Sequence, residues 1–320
     1  VTETAAIIGL GIMGRRMLEH MERHVGYRPV ALWDPDPAAC RIAQTLAPEA
    51  RITASAEDAI AAAGIVYLAC PPGPRKVYAL AAAAAGKAVF LEKPLGVDIA
   101  ESEELVARLK ESGVPAAVNF TQAAGAALTG VTSAARAGEM GDIVGADIVV
   151  TYAAWPRSWQ KAADWLRFRD EGGMTREVIS HFLFFTERIL GPLSVVWARP
   201  SYPEDRQLCE THMLARLETT DGRPVTIMAS VGGAQPDRQE LTIKGSVASR
   251  RISEFYIDAV SDGGPFIEIT ERPVDPRATS LKAQLDDLLL CVTGQPNRLA
   301  TPEEALRVQK LVESMLAGKS

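Results

Sequence analysis

The apolar run from Ala5 to Gly9 leads directly into Gly9-Leu10-Gly11-Ile12-Met13-Gly14, and the helix expected next carries Met13, Met17 and Met21 along one face. Few folds accept this order. A strand that turns on glycine into a helix N-terminus opens a βαβ unit, and it commits its neighbours to a parallel sheet with helices around it. The rest of the N-terminal part agrees. From Ala5 to Phe120 short apolar runs alternate with longer, alanine-rich helical segments punctuated by Gly or Pro. The strands fall at Ala5 to Gly9, Pro29 to Asp34, Ile65 to Cys70, Ala88 to Glu92 and Pro115 to Phe120, with a weaker one near Arg51. All the main strands but the last are apolar on both faces, which calls for helices above and below: a doubly wound sheet that takes its ligand at the carboxyl ends of the strands.

Beyond about residue 121 the texture changes. Ile143 to Thr151, Leu208 to Glu218, Val225 to Val231, Glu240 to Ile243 and Phe266 to Thr270 alternate in the manner of neighbouring antiparallel strands. One apolar helix, about Glu177 to Leu190, interrupts them and stops at Gly191-Pro192. Thr301-Pro302-Glu303-Glu304 supplies an N-cap and a first-turn proline for a last helix to about Leu316. The expectation is therefore an α/β chain in two parts. Residues 1–121 form a Rossmann dinucleotide-binding domain; residues 122–320 form an α+β substrate-binding domain with a large, mostly antiparallel open sheet. The final helix, about 302–316, packs back on the first domain. An open sheet face predicts self-association, as a homodimer or homotetramer.

Composition narrows the partners. The 320 residues suit two domains of about 100 to 200 residues each, and 47% hydrophobic with 23% charged residues is the make-up of a folded chain. The 4 cysteines show no CxxC spacing, which argues against a disulfide framework or a zinc ribbon. A net charge of −6 disfavours a nucleic-acid partner. No apolar run reaches the roughly 18 residues that cross a bilayer, and the first hydrophobic segment has no basic leader, so a cytoplasmic chain with a small-molecule ligand is expected.

In the glycine turn, Gly9 permits the tight bend, Gly11 admits a pyrophosphate to the main chain, and Gly14 lets helix and strand pack closely. Asp34, 25 positions after Gly9, stands where an acid accepts hydrogen bonds from the adenosine ribose. Its charge repels a 2′-phosphate, so NAD is favoured over NADP; Asp36 adds to this and Arg41 is the local cation that opposes it. The other reading makes Asp34 a turn former before Pro35. His20 and His24 read as residues at the edge of the core.

The strand Ala88 to Leu91 ends in Glu92-Lys93-Pro94. Two charges at a strand tip imply either a ligand site or a surface ion pair. Oxidation of an alcohol needs a group that takes the hydroxyl proton as hydride leaves carbon, a task open to Lys93, with Glu92 orienting it or maintaining the local field.

GLGIMG, WDPDP, the turn Pro71-Pro72, AGKAVFLEKPLG and GGMTREVISHF together resemble the glucose-fructose oxidoreductase, inositol dehydrogenase and rhizopine catabolism (Gfo/Idh/MocA) family, over about residues 5 to 318. The resemblance implies an NAD-dependent oxidoreductase of sugars, polyols or related derivatives. It places Lys93 at the catalytic position and the cofactor against Gly9, Gly11, Ile12, Met13, Gly14, Asp34, Cys70, Pro71, Pro72, Glu92, Lys93 and Asn119. It pairs Glu177 with His181, an i, i+4 couple reaching a common substrate hydroxyl, although the family more usually has Asp at the first position. No third ligand accompanies that pair, so no metal is expected. Arg75 replaces a histidine common in relatives, Phe184 an aspartate, and no basic residue follows Asn119, where Thr121 and Gln122 stand. Trp155, Arg157, Trp159, Trp165 and Arg167 precede Gly172-Gly173. They either stack on and bind a substrate or pack a junction, with Trp155, Arg157 and Trp165 the residues taken as substrate contacts beside Lys93, Glu177 and His181. A non-catalytic NAD-binding sensor and a lyase or hydrolase using NAD transiently are the competing functions.

Overall fold

The computed structural model describes residues 2–160 and 163–318. By its internal contacts the chain divides into two compact units, Val1–Ala124 with Arg277–Leu306 and Gly125–Pro276 with Arg307–Ser320.

In the first unit β1 (Glu3–Ile8), β2 (Tyr27–Trp33), β3 (Arg51–Ile52), β4 (Ile65–Leu68), β5 (Ala88–Glu92) and β6 (Ala116–Asn119) form one parallel sheet in the order β3-β2-β1-β4-β5-β6. This order reverses between β1 and β4, which opens a crevice at their carboxyl ends. The connecting helices are α1 (Ile12–Glu22), α2 (Pro37–Leu46), α3 (Ala56–Ala62), α4 (Pro72–Ala84) and α5 (Ile99–Ser112). Their starts follow from local chemistry. The Asp36 carboxylate accepts from Ala38 N ahead of α2, Ser55 Oγ from Asp58 N at α3, and Asp98 from Glu101 N at α5, which ends on Gly113 at φ +67°.

The single boundary expected at residue 121 does not describe this unit, which also takes in residues 277–306. A helix that the sequence reading omitted, α8 (Pro276–Val292), places Leu281, Leu285 and Leu288 in one core with Met17, Met21, Tyr27, Tyr67 and Phe90. Tyr27 Oη donates to Leu285 O at 2.6 Å, His24 Nε2 lies 2.9 Å from Asp286 Oδ1, and Val118 N donates to Ala300 O at 2.9 Å. Burial across such sequence distances leaves no local pattern to read. The apolar positions of α8 fit a helix but do not say which sheet they meet.

The second unit begins with α6 (Ala126–Arg136) and holds a sheet of β7 (Ile143–Tyr152), β8 (Leu193–Ser201), β9 (His212–Thr219), β10 (Pro224–Val231), β11 (Arg238–Gly245), β12 (Ser249–Ser253), β13 (Ile257–Ser261) and β14 (Ile267–Glu268). Its order is β14-β13-β12-β11-β7-β10-β9-β8, antiparallel except for the central β7–β10 pair. Ala146, Ile148, Val150, Ala215, Leu217, Ile227, Ala229, Leu241 and Ile243 are buried on the inward side, while Trp197, Leu214 and Met228 are substantially exposed. Strands β8, β12 and β13 were not anticipated. Their exposed or charged positions, such as Trp197, Arg199, Arg250 and Arg251, mask the alternation.

The expected helix from Glu177 instead opens with a π turn, Thr175–Ile179, that runs into α7 (Ser180–Leu190). Arg176 in that turn is buried and forms a two-pronged ion pair with Glu313 of α9 (Pro302–Ala317), Nε to Oε1 at 2.7 Å and Nη2 to Oε2 at 2.8 Å. It also donates to Arg169 O and Gly172 O. Glu313→Ala strands this cation in the core and is expected to cost about 3 to 5 kcal/mol. A urea titration followed by circular dichroism measures it, and the double variant Arg176→Met/Glu313→Leu should recover most of the loss.

Candidate functional site

The glycine turn lies at the crevice between β1 and β4. Gly9 sits at φ +92°, and a Cβ there would run into the Ala69–Cys70 backbone at the end of β4. A Cβ on Gly14 would collide with the Gly9 carbonyl. Gly11 is different, with open space where its side chain would be. It caps α1 without a side-chain hydrogen bond, and the first turn, with Ile12 and Met13 half-buried, holds no acid. Uncapped N–H groups and the positive end of the helix thus face solvent, the arrangement that receives a phosphate.

Asp34 Oδ2 accepts from Leu10 N at 2.6 Å and Oδ1 from Asp36 N at 2.8 Å. The carboxylate thus forms the turn and ties the glycine loop to β2. A carboxylate has about four acceptor positions, so both oxygens keep capacity for a hydroxyl donor. Cys70 is buried at the end of β4, and burial pushes its thiol above the ordinary value; Pro71 caps α4 and Pro72 begins it.

At the tip of β5 the side chains turn inward. Neither Glu92 nor Lys93 lies at the surface, which removes the surface ion pair as an account of them. The Glu92 carboxylate accepts from the Tyr67 hydroxyl and from Asn119 Nδ2 at 2.6 Å, and Asn119 Oδ1 accepts from Gln284 Nε2 at 2.6 Å. Desolvation pushes the Glu92 carboxyl up; the hydrogen bonds from Tyr67 and Asn119, then the charges of Lys93 and Arg75, pull it down. Burial and the neighbouring carboxylate hold the Tyr67 phenol well above its usual value, so it remains a donor. Asn119, expected against the cofactor, engages its amide between Glu92 and Gln284.

Arg75 is buried and faces main chain, not a ligand. It donates from Nη1 to Glu92 O at 2.8 Å and to Pro94 O, and from Nη2 to Cys70 O at 2.5 Å. The carbonyls on either side of Lys93 are therefore held by one guanidinium. Tyr67, Gln284 and the backbone role of Arg75 escaped the sequence reading. Tyr67 sits in an apolar run that reads only as core, and Gln284 lies 165 positions from Asn119.

In the second unit Gly173 stands at φ +101° against the carboxylate of Glu210, which accepts from Thr175 N at 2.7 Å. Burial holds that carboxyl above its ordinary range. This contact sets the entry into the π turn, which carries Glu177 half-buried, with His181 buried at the start of α7. The His181 ring meets Phe255 edge-on at 5.6 Å. Such turns widen a helix locally and recur at functional sites. Trp155 Nε1 donates to Leu166 O at 2.9 Å, Trp165 is half-buried in the short turn Asp164–Arg167, and Arg167 is exposed and paired with Asp164 at 3.0 Å. Arg157 lies among the rings of Tyr152, Trp155 and Trp159. His212 begins β9, exposed, beside Thr211 Oγ1.

The strand order and the glycine turn define a dinucleotide-binding Rossmann fold. Residues 4–120 match the profile described as an oxidoreductase family with an NAD-binding Rossmann fold, GFO_IDH_MocA. An inositol 2-dehydrogenase of Acidiphilium cryptum is 34% identical over 110 residues, 33% of this chain and 33% of the relative, so the match spans about a third of that protein. Among solved structures, an oxidoreductase from Agrobacterium radiobacter in complex with NAD+, L-tartaric acid and magnesium superimposes with a TM-score of 0.85 at 16% identity, covering 98% of this chain and 95% of the other. A scyllo-inositol dehydrogenase from Lactobacillus casei with NAD(H) and scyllo-inositol gives 0.82 at 18%, covering 98% and 96%. These likenesses extend the shared fold over both units. No helix among the described residues is long and apolar enough to cross a membrane.

The Glu92 network makes a pH-dependent prediction. Tyr67→Phe removes a donor and raises the Glu92 pKa further above 4.5, its ordinary value. The folded state then binds its proton more tightly than the unfolded chain does, so stability falls as pH rises through the interval between the two values. The variant should lose about 1 to 3 kcal/mol at neutral pH, and less below pH 4.5, where both states are protonated. Chemical denaturation at the two pH values checks it.

Proposed function

We propose that the protein is an NAD-dependent dehydrogenase or reductase that exchanges hydride between nicotinamide and a secondary alcohol or carbonyl of a sugar, polyol or sugar derivative. The observation that carries this reading is the setting of Lys93: a buried lysine residue at the tip of a Rossmann strand, flanked in sequence by a carboxylate held in a hydrogen-bond network and by a carbonyl held by Arg75.

The residues fit the cofactor. Gly9, Gly11 and Gly14 with the uncapped start of α1 would receive the pyrophosphate, with Ile12 and Met13 in that first turn. Asp34 would accept from the adenosine ribose and repel a 2′-phosphate, which favours NAD over NADP. Cys70, Pro71 and Pro72 would border the crevice. Bound NAD supplies the hydride acceptor or donor. Lys93, as the neutral amine, takes the hydroxyl proton when an alcohol is oxidised and, as ammonium, returns it when a carbonyl is reduced. Glu92 holds the lysine's segment through Tyr67 and Asn119. Glu177 and His181 bond to substrate hydroxyls, and Trp155 and Trp165 offer apolar faces to the substrate.

Two kinds of support stand behind the substrate class: the partial match to an inositol 2-dehydrogenase, and the fold shared with dehydrogenases crystallised with NAD(H). The same reading takes the half-exposed Trp197, Leu214 and Met228 as part of the face through which copies of the chain associate.

Lys93→Met is expected to lower turnover by about 10²-fold or more, the weight of a positioned acid–base group, while NADH binding stays within a few-fold of wild type. Steady-state assays across sugars, polyols and sugar acids, with NADH fluorescence titration, test this; retained turnover removes Lys93 from the chemistry. In the same assays NADH should outperform NADPH, and Asp34→Ser should narrow the difference. Equal use of both cofactors by the wild type would remove the ribose role of Asp34.

A further inference from the structure

Arg157 sits on the segment after β7 in an aromatic enclosure. Its guanidinium carbon lies 5.2 Å from the Tyr152 ring centre, 5.8 Å from Trp155 and 4.8 Å from Trp159. Gln160, itself buried, accepts at Oε1 from Arg157 Nε at 2.9 Å and from its backbone N at 3.3 Å. Three aromatic rings surround the guanidinium and the Gln160 amide takes Nε. The edge formed by Nη1 and Nη2 is left over.

That edge has no carboxylate on it. Among the described residues no acidic side chain pairs with Arg157, whereas the buried arginines of the same unit are neutralised, Arg176 by Glu313 and Arg250 by Asp258. An anion on the open edge of this half-buried cation gains charge-assisted hydrogen bonds in a geometry already set. Two parallel N–H groups in one plane match the two oxygens of a carboxylate. Trp159 is 40% exposed beside the cation and offers an indole face of the kind that takes the C–H side of a polyhydroxylated carbon skeleton.

The surroundings give this site a direction. Tyr152 lies fully buried under the enclosure, and its hydroxyl has no hydrogen-bond partner among the described residues. Burial first disfavours ionisation of that hydroxyl, the Arg157 charge opposes this, and Asp237 and Glu177 reinforce it, so the cation and the two acids act on one phenol. A molecule with an acid at one end and hydroxyls at the other is drawn with its acid to Arg157 and its hydroxyls toward Glu177, which accepts O–H donors and repels a carboxylate. A phosphate dianion fits less well, because a single guanidinium edge must hold it against both acids.

We propose that Arg157 is a carboxylate-binding residue and that the substrate is a sugar acid or another polyhydroxy acid rather than a neutral sugar or polyol. This rests on the dehydrogenase reading above and narrows its substrate class.

The test uses the full chain with NAD and matched probes: D-glucuronate against D-glucose, D-galacturonate against D-galactose, L-tartrate against erythritol, and D-glucose 6-phosphate. Equilibrium binding is read by tryptophan fluorescence, since Trp155 and Trp159 adjoin the cation, and turnover is read in parallel by NADH formation. At least one acid should bind about tenfold or more tightly than its neutral partner, the scale of a charge-assisted hydrogen bond. Arg157→Gln should remove that preference, raising KM for the acid more than it lowers kcat. Arg157→Lys, which keeps the charge but not the fork, should restore part of it; melting curves establish that both variants fold. Acid binding that depends on Arg157 without turnover on any probe would overturn the dehydrogenase reading and leave the carboxylate site standing. No acid binding, equal binding of acid and neutral partner in every pair, a preference unchanged in Arg157→Gln, or tighter binding of the sugar phosphate overturns the carboxylate site.

Discussion

A carboxylate enclosed at the end of a parallel strand organises the first unit. Burial penalises the charged form of Glu92 in that position. The carboxylate is kept there by the Tyr67 hydroxyl, the Asn119 amide and the charges of Lys93 and Arg75. These partners come from β4, β6, α4 and the residue after β5, so satisfying one carboxylate fixes the mutual register of three strand ends. Gln284 then connects the network to α8 through Asn119. A buried polar network of this kind is rigid when complete and costly when broken. The stretch Glu92-Lys93-Pro94 thereby acquires a defined position without secondary structure of its own.

The second unit solves a related problem with a distorted helix. Glu210 caps the entry at Thr175, the Arg176–Glu313 pair anchors the π turn to α9, and Phe255 packs against both His181 and Phe182. The wide turn changes the angular relation between Glu177 and the residues of α7 from that of an uninterrupted α-helix. His181 is buried with most of α7, while Glu177 on the wide turn is half-buried.

Much of this was legible in sequence because the signals were local. The glycine turn, the continuous apolar strands and the cap at Thr301 each act within a few residues, and each stands where the sequence places it. Candidate residues were legible where an unusual residue met a structural boundary, as with Lys93 and Asp34. The supporting residues were not. Tyr67 is one aromatic among apolar neighbours, Gln284 is a polar position in an unexpected helix, and Glu210 is one of many acids in the chain. Arg75 was readable only as a replacement for a histidine, and the carbonyls it holds come from two segments, its own approach at Cys70 and the distant Glu92-Lys93-Pro94.

The sequence by itself determined a doubly wound nucleotide fold followed by a mostly antiparallel one, and it singled out the lysine at the tip of β5. Period, turn chemistry and helix capping are properties of neighbouring residues, and they are written along the chain. Only the tertiary structure decided that α8 returns to the first unit, that Glu92 is buried and hydrogen-bonded, that Arg75 faces main chain, and that Arg157 keeps an open edge inside an aromatic enclosure. Those outcomes depend on which groups exclude water from one another across large sequence separations, and desolvation has no signature until the chain has folded.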